Sequence, residues 1–327
     1  MSRVGTRDSV REETVDYYYY ARLIKAKHRV EAFQAAIKAS VRTGDVVVEI
    51  GAGLGTYSFF AAQAGAKRVY AIEKERVIQI AEELARRNGL AGQITFLDGD
   101  STEVVLPEKA DVLILDDFSS LFVRRGVEEL VQDAIERHLK PSGIVIPTAV
   151  SLYIAPVDDF ELWKGCLHLE DDHYRLYGLD LALLRQMMLD SPHVRKIAPR
   201  ALAAEPARFK EIELKHTNSY LFDEVLQVKI ERSGTIHGLA GWFDLHLTPD
   251  RLLSNAPSNP ESTWGQVFFP FSNPLEVKEG ETATLRVSCV RSSHTRDIWW
   301  TWQASTASAL ADNRSFQGIA LGKPEKF

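Results

Sequence analysis

Acids and glycines recur in this 327-residue chain where apolar runs stop. Val46-Val-Val-Glu-Ile-Gly-Ala-Gly-Leu-Gly55 carries three β-branched residues into Glu49, then sets glycines at 51, 53 and 55. Arg68-Val-Tyr-Ala-Ile72 runs into Glu73, Ile94-Thr-Phe-Leu97 into Asp98-Gly-Asp-Ser101, and Asp111-Val-Leu-Ile-Leu115 into Asp116-Asp117. Glycines let a backbone approach a ligand without Cβ clashes. A carboxylate about 20 residues beyond such glycines offers two acceptor oxygens to the two hydroxyls of a ribose. Adjacent acids such as Asp116 and Asp117 can orient an amine or hydroxyl, or act as a general base. Plainer readings stand beside these: a Gly-rich connection between strand and helix, and for Asp117 a helix cap or a surface acid. The alternate-glycine spacing also departs from the Gly-x-Gly-x-x-Gly of a dinucleotide fold.

The elements that must carry these residues follow from periodicity. Strands at 46–50, 68–72, 94–97, 111–115 and 144–146 alternate with helices at 57–65, 76–88 and 127–139, which predicts a parallel, doubly wound sheet. Its ligand chemistry lies along the carboxyl ends of the strands. Upstream, Leu23, Ala26, Val30, Phe33, Ala36 and Ile37 recur at helical spacing, predicting one helix from Ala21 to Ser40 after Tyr17-Tyr-Tyr-Tyr20. Lys25, Lys27, His28 and Arg29 on that helix are either a solvated basic face or a source of a cation for a ligand's carboxylate. Tyr177 to Ser191 reads as a helix apolar on several sides (Leu179, Leu183, Leu184, Met187), either a core helix or one that packs on a partner. Beyond Ser219 the period becomes two, with Leu226, Val228 and Ile230, then Phe243, Leu245 and Leu247, then Leu285, Val287 and Cys289, then Ile298, Trp300 and Trp302. Such strands build an antiparallel sandwich or barrel, and Thr248 to Pro260 reads as a loop.

Composition bounds the function classes. The length allows roughly two domains. Hydrophobic residues at 45% and charged residues at 26% are ordinary for a globular chain. A net charge of -6 argues against nucleic acid as the main partner, because phosphate binding leaves a basic footprint. Cys166 and Cys289 are too few and too far apart for a disulfide framework or a metal set, and read as small buried hydrophobes. No apolar run approaches the roughly 20 residues of a membrane span, and the charged start of the chain lacks a signal core. A cytoplasmic protein without metal is the expectation.

The order of signals resembles a family. The stretch from Val46 to Gly55, Ala61-Ala-Gln-Ala-Gly-Ala-Lys-Arg-Val-Tyr-Ala-Ile-Glu73 and His138-Leu-Lys-Pro-Ser-Gly-Ile-Val-Ile-Pro147 resemble the class I S-adenosylmethionine-dependent methyltransferases. More narrowly they are similar to the protein arginine methyltransferase branch. Tyr177-Gly-Leu-Asp180 falls where that branch begins its dimerisation arm, and Phe222 to Ile230 with the strands beyond is similar to its C-terminal β-barrel. The resemblance implies an N-terminal helical segment over the cofactor at 1–40 and a Rossmann-like domain at 41–147. It implies a β-barrel-like domain at 148–327 with a dimerisation arm at about 178–205, and a homodimer. It implies that Arg29 meets the carboxylate of the cofactor's methionine part and that Glu49 lies near its amino group. Gly51, Gly53 and Gly55 pass under the cofactor, Glu73 takes the ribose hydroxyls, and Asp100 and Ser101 lie by the adenine.

The acceptor side departs from that family. Arginine methyltransferases hold the guanidinium between two glutamates after the fourth strand. Counted back from Pro141, those positions are Asp116, shorter by one methylene, and Arg125, which reverses the charge. The family's Thr-His-Trp matches Ser262-Thr-Trp264, which keeps Trp264 against the substrate and loses the histidine. With Arg125 beside the acceptor, a small-molecule or peptide acceptor bearing a carboxylate or phosphate is expected, oriented by Asp116 or Asp117. Arg124-Arg125 as a solvated pair is the plainer reading. Two alternatives remain: a protein arginine methyltransferase with a rebuilt acceptor loop that uses Glu128 or Glu129, and a non-catalytic dimeric scaffold.

Overall fold

The computed structural model describes residues 15–167, 177–216, 219–291, 297–307 and 309–314. Runs of β-branched residues buried on both faces make the first sheet. Its strands are β1 (Val46–Ile50), β2 (Arg68–Glu73), β3 (Ile94–Asp98), β4 (Ala110–Leu115) and β5 (Leu139–Ile146), all parallel in the order β3-β2-β1-β4-β5. The order reverses between β1 and β4, the crevice where open α/β sheets bind ligands. There Ile50 pairs with Leu115, so Gly51 and Asp116 leave the sheet side by side. Beside them Glu73 pairs with Asp98. The strand expected at 144–146 begins earlier, at Leu139, and carries Pro141-Ser-Gly143 through an irregularity in its pairing with β4.

Helices α3 (Thr56–Gln63), α4 (Ile78–Arg87) and α5 (Val127–His138) connect these strands. Upstream the single expected helix is two, α1 (Tyr17–Lys25) and α2 (Lys27–Ser40). Ala26, at φ -70° and ψ 65°, breaks the run. The break lets α1 turn across the glycines, so that a Cβ on Gly53 would stand 3.2 Å from the Tyr20 ring. The tyrosine run therefore belongs to α1, and its last member, Tyr20, covers the turn.

The second half is antiparallel, as its period-two pattern predicts. It runs through β6 (Ala149–Val157), α6 (Phe160–Leu167), α7 (Ala182–Leu189), β7 (His193–Arg195), β8 (Ala207–Glu213) and β9 (Phe222–Lys229). There follow β10 (Gly234–Thr248), β11 (Arg251–Ser254), β12 (Gln266–Val277), β13 (Thr282–Arg291), β14 (Ile298–Ser305) and β15 (Leu310–Arg314). One sheet orders β7-β12-β10-β6-β8, with β11 on β10, and the other β15-β14-β13-β9. Trp300, Trp302, Leu285 and Phe269 fill the space between them. Two expectations need correction. The stretch 248–260 is not all loop, because Arg251–Ser254 pairs back on β10. The arm helix is eight residues rather than fifteen, since Tyr177 and Gly178 are left-handed and the Asp180 side chain, ahead of the helix, accepts from the Ala182 N–H at 2.9 Å. The arm exposes Tyr177, Leu179 and Leu183.

Candidate active site

A cleft of about 1100 Å³ opens over the carboxyl ends of β1, β2 and β4, under α1 and α2 and against the barrel loop at Trp264. Its volume exceeds that of a typical single-ligand pocket. At one end the backbone does the work. Gly51, Gly53 and Gly55 all take positive φ (71°, 52° and 75°), where a side chain would be strained. The N–H groups of Gly51 and Ala52 both bond Ile72 O at 3.0 Å, which folds the turn around the end of β2. Glu73 then spans the two connections. Its Oε2 accepts from Gly53 N and its Oε1 from Glu75 N, each at 2.9 Å. Tyr20 Oη donates to Glu75 at 3.1 Å and so pins α1 over the turn.

Glu49 lies in the floor, buried, and its Oε2 accepts from Ser58 N at 2.7 Å and from the Ser58 hydroxyl. Burial pushes its carboxyl up to about 8, against the pull of the two Ser58 bonds. Asp100 and Ser101 line the far wall. Asp100 Oδ1 is engaged by Thr102, through its N–H at 3.0 Å and its hydroxyl at 2.7 Å, and these bonds hold the carboxyl below its usual range. Ser101 is fixed from behind by His138, whose Nε2 lies 3.0 Å from Ser101 O.

The other end is built from side chains. Arg29 donates from Nε to Asp116 Oδ2 at 2.7 Å and forms an ion pair with the same oxygen through Nη2. Its guanidinium also lies 5.1 Å from the Trp264 ring centroid. Burial opposes its charge, but Asp116 more than compensates and holds Arg29 above its usual range. Tyr57 Oη donates to Asp116 Oδ2 at 2.7 Å. Asp116 Oδ1 is buried without a partner. Arg124 reaches Asp117 Oδ2 at 2.8 Å and lines the cleft with it. Phe122 closes this loop in the left-handed region (φ 63°), a strained position for a bulky residue, and its buried ring packs on Phe118 and Tyr220.

The remaining acceptor positions divide. Arg125, expected on the substrate, sends its guanidinium to Asp297 at 2.8 Å and is not among the residues lining the cleft. The loop between Asp117 and Gly126 turns Arg124 inward and Arg125 outward. Glu128 faces away as well and accepts from Tyr220 N at 3.0 Å. Glu129 lines the cleft and pairs with Arg291. Trp264 lines the cleft, stacked on Phe118 with centroids 6.2 Å apart. Asn255, fully buried, ties its loop to the acceptor loop, donating 2.8 Å bonds to Ser120 O and Gly265 O.

With this geometry the similarities to known proteins have a clear meaning. Residues 148–305 match the arginine methyltransferase oligomerization subdomain, and residues 10–144 match the TRM5/TYW2 methyltransferase domain. The probable histone-arginine methyltransferase 1.3 of Arabidopsis thaliana is 33% identical over 300 residues, covering 85% of this chain and 56% of the relative. The protein arginine N-methyltransferase PRMT10 of Oryza sativa subsp. japonica is 29% identical, covering 90% of this chain and 87% of the relative. The chain is an arginine-methyltransferase-like member of the class I methyltransferases. Its fold agrees with solved structures. A Trypanosoma brucei PRMT1 enzyme-prozyme heterotetrameric complex with AdoHcy superposes with a TM-score of 0.82 at 21% identity, covering 91% of this chain and 98% of that one. Arabidopsis thaliana protein arginine methyltransferase 10 superposes at 0.77 and 23%, covering 91% and 97%. The chain spans little more than half the length of several curated relatives it matches.

S-adenosylmethionine is the cofactor that membership of the methyltransferase family implies, and the residues present fit it. The glycine turn leaves a cradle a Cβ would fill, Glu73 brings two acceptor oxygens to its rim, and Glu49 offers a carboxyl that an ammonium would ionise. Sequence reasoning missed Tyr20, Tyr57 and Asn255.

Proposed function

We propose that this chain transfers the methyl group of S-adenosylmethionine to a guanidinium nitrogen of an arginine in a peptide or protein. The observation that carries the reading is a group of acids on one side of the cleft, Asp116, Asp117 and Glu129, beside the aromatic faces of Phe118 and Trp264. A guanidinium is planar and always charged, stacks on aromatic faces, and is oriented by paired bonds to carboxylates. The charge reversal at Arg125 does not oppose this, since that side chain lies on Asp297. Glu129, one helical turn further on, supplies an acid in its place. The names of the similar relatives support the same acceptor.

Arg29 and Glu49 would hold the amino-acid part of the cofactor, Glu73 its ribose, and Asp100 and Ser101 its adenine. Bound there, S-adenosylmethionine supplies an electrophilic methyl group whose bonding electrons stay on sulfur when it leaves. The acids do the rest: they fix the guanidinium so that one nitrogen lone pair faces the cofactor end, and one of them takes the proton that nitrogen must lose.

Arg124 favours a second reading, because it offers a cation in the cleft to an acceptor bearing a carboxylate or phosphate. Incubation with labelled S-adenosylmethionine separates the two when arginine-rich protein and a pool of anionic metabolites are offered together. Methylarginine in hydrolysed protein is the expected product. Label confined to the anionic pool overturns the proposal in favour of the second reading. No label at all, with no stabilisation by the demethylated cofactor, leaves a non-catalytic scaffold. Assembly belongs to the same reading. The exposed Tyr177, Leu179 and Leu183 of the arm support a homodimer, and sedimentation of Leu183→Asp is expected to show a monomer.

A further inference from the structure

Asp116 is unevenly used. Its Oδ2 receives Arg29 Nε at 2.7 Å, Arg29 Nη2 and the Tyr57 hydroxyl at 2.7 Å, while Oδ1 is buried with no partner. An unpaired buried carboxylate oxygen is costly unless a ligand satisfies it. The hydroxyl that completes this arrangement comes from α3, the helix after the glycine turn. Tyr57 Oη accepts from Arg29 Nε at 3.2 Å and therefore turns its own proton toward Asp116. Its ring is stacked on Phe33, with centroids 4.6 Å apart and planes at 12°, so the hydroxyl cannot wander. Asp116 is one methylene shorter than the glutamate expected at its position, and the tyrosine hydroxyl adds a third donor to its Oδ2 beside the two of Arg29.

We propose that Tyr57 is a positioning residue for methyl transfer: with Arg29 it saturates Oδ2 of Asp116 and leaves Oδ1 as the single acceptor for the hydrogen of the nitrogen to be methylated. The inference rests on the arginine reading for the identity of that nitrogen. Its physical core, the state of Asp116, does not. The charged and titratable groups that face Asp116 are Arg29 from α2, Tyr57 from α3, Glu49 from β1 and its neighbour Asp117. Burial raises the Asp116 carboxyl, and Arg29 and Tyr57 pull it back down. Removing the hydroxyl must therefore move it further up.

Tyr57→Phe keeps the stacked ring and removes only the bond. Titration of carbon-13-labelled aspartate by NMR, without any acceptor, is expected to show the Asp116 carboxyl moving to higher pH. In turnover with an arginine peptide, kcat is expected to fall about tenfold or more, the size of a bond to an ionised group. The acid limb of the pH profile should move up with it, while affinity for the demethylated cofactor changes less than about twofold. An unchanged Asp116 titration overturns the inference whatever the activity does. A changed titration with weakened cofactor and unchanged kcat also overturns it, since Oδ1 would then serve the cofactor. A changed titration in a chain whose wild type never methylates arginine upholds the state of Asp116 and overturns the arginine reading instead.

Discussion

The two ends of the cleft are made of different material. The cofactor end is backbone, a glycine turn with three left-handed residues whose N–H groups bond Ile72 O from Gly51, Glu73 from Gly53 and Ala52 O from Gly55. The glycine turn, Glu49 and Glu73 lie within one strand-helix-strand unit. The acceptor end is side chains brought from α2, α3, the loop after β4, α5 and the barrel. Every acid there is matched by one of the chain's own arginines: Asp116 by Arg29, Asp117 by Arg124, Glu129 by Arg291. A site built from backbone is fixed by topology and tolerates little change. A site built from paired charges can be redrawn one residue at a time, as the displacement of Arg125 onto Asp297 illustrates.

The comparison breaks most visibly at Asp116. Asp116→Asn leaves Arg29 buried without its counter-ion, which is expected to cost about 3 kcal/mol of stability. It should also lower kcat on the order of a hundredfold or more, as removal of a preorganised acceptor does. Thermal unfolding and turnover check the two effects, and a fully active Asn variant would mean that the acceptor end lies elsewhere. Glu73→Ala tests the opposite end. It removes a carboxylate that holds two backbone N–H groups and faces the ligand, and is expected to weaken the demethylated cofactor roughly a hundredfold. Calorimetry reads the loss directly, and the stabilisation by ligand seen in the wild type should vanish.

Arg124→Gln sharpens the acceptor end. The Arg124–Asp117 pair is partly exposed, with side chains 35% and 59% accessible, so it contributes well under 1 kcal/mol. Removing this competitor should lower KM for an arginine peptide about two- to fivefold. A rise in KM for an anionic acceptor, with no gain for arginine, would instead favour the second reading of the cleft.

This difference in material also explains what the sequence could tell. Strand ends, glycines and the acids at 49 and 73 are separated by short, regular spacings, and the parallel sheet with its glycine turn at the end of β1 was legible from them. The period-two runs likewise carried the barrel. Tyr57 and Asn255 were not legible, because their partners lie 59 and 135 residues away and no local pattern marks the contact. The direction of Arg125 turned on a loop conformation set by Phe122 at φ 63°, which spacing does not encode. The break at Ala26 was hidden for the same reason: the helical period continues through it, and only the packing of Tyr20 on Gly53 requires it.

The smallest expected effect lies where the two ends meet, at Glu49. Its carboxyl titrates at about 8 in the folded chain against an ordinary 4.5, with burial as the main cause. Between those values the folded chain holds more protons than the unfolded one, so this group makes the ligand-free fold less stable as pH rises through that window. Glu49→Gln should flatten that part of the pH dependence in thermal unfolding. The ligand-bound state should behave oppositely. An ammonium group placed beside Glu49 favours the ionised form, so binding the demethylated cofactor near pH 7 must expel a proton. Calorimetry in two buffers of different ionisation enthalpy is expected to give different apparent heats for the wild type and the same heat for Glu49→Gln. Equal heats in the wild type would mean that the amino group of the ligand sits away from Glu49. The carboxyl would then be a buried structural acid held by Ser58, and the cofactor end would owe its specificity to the glycine turn and Glu73 alone.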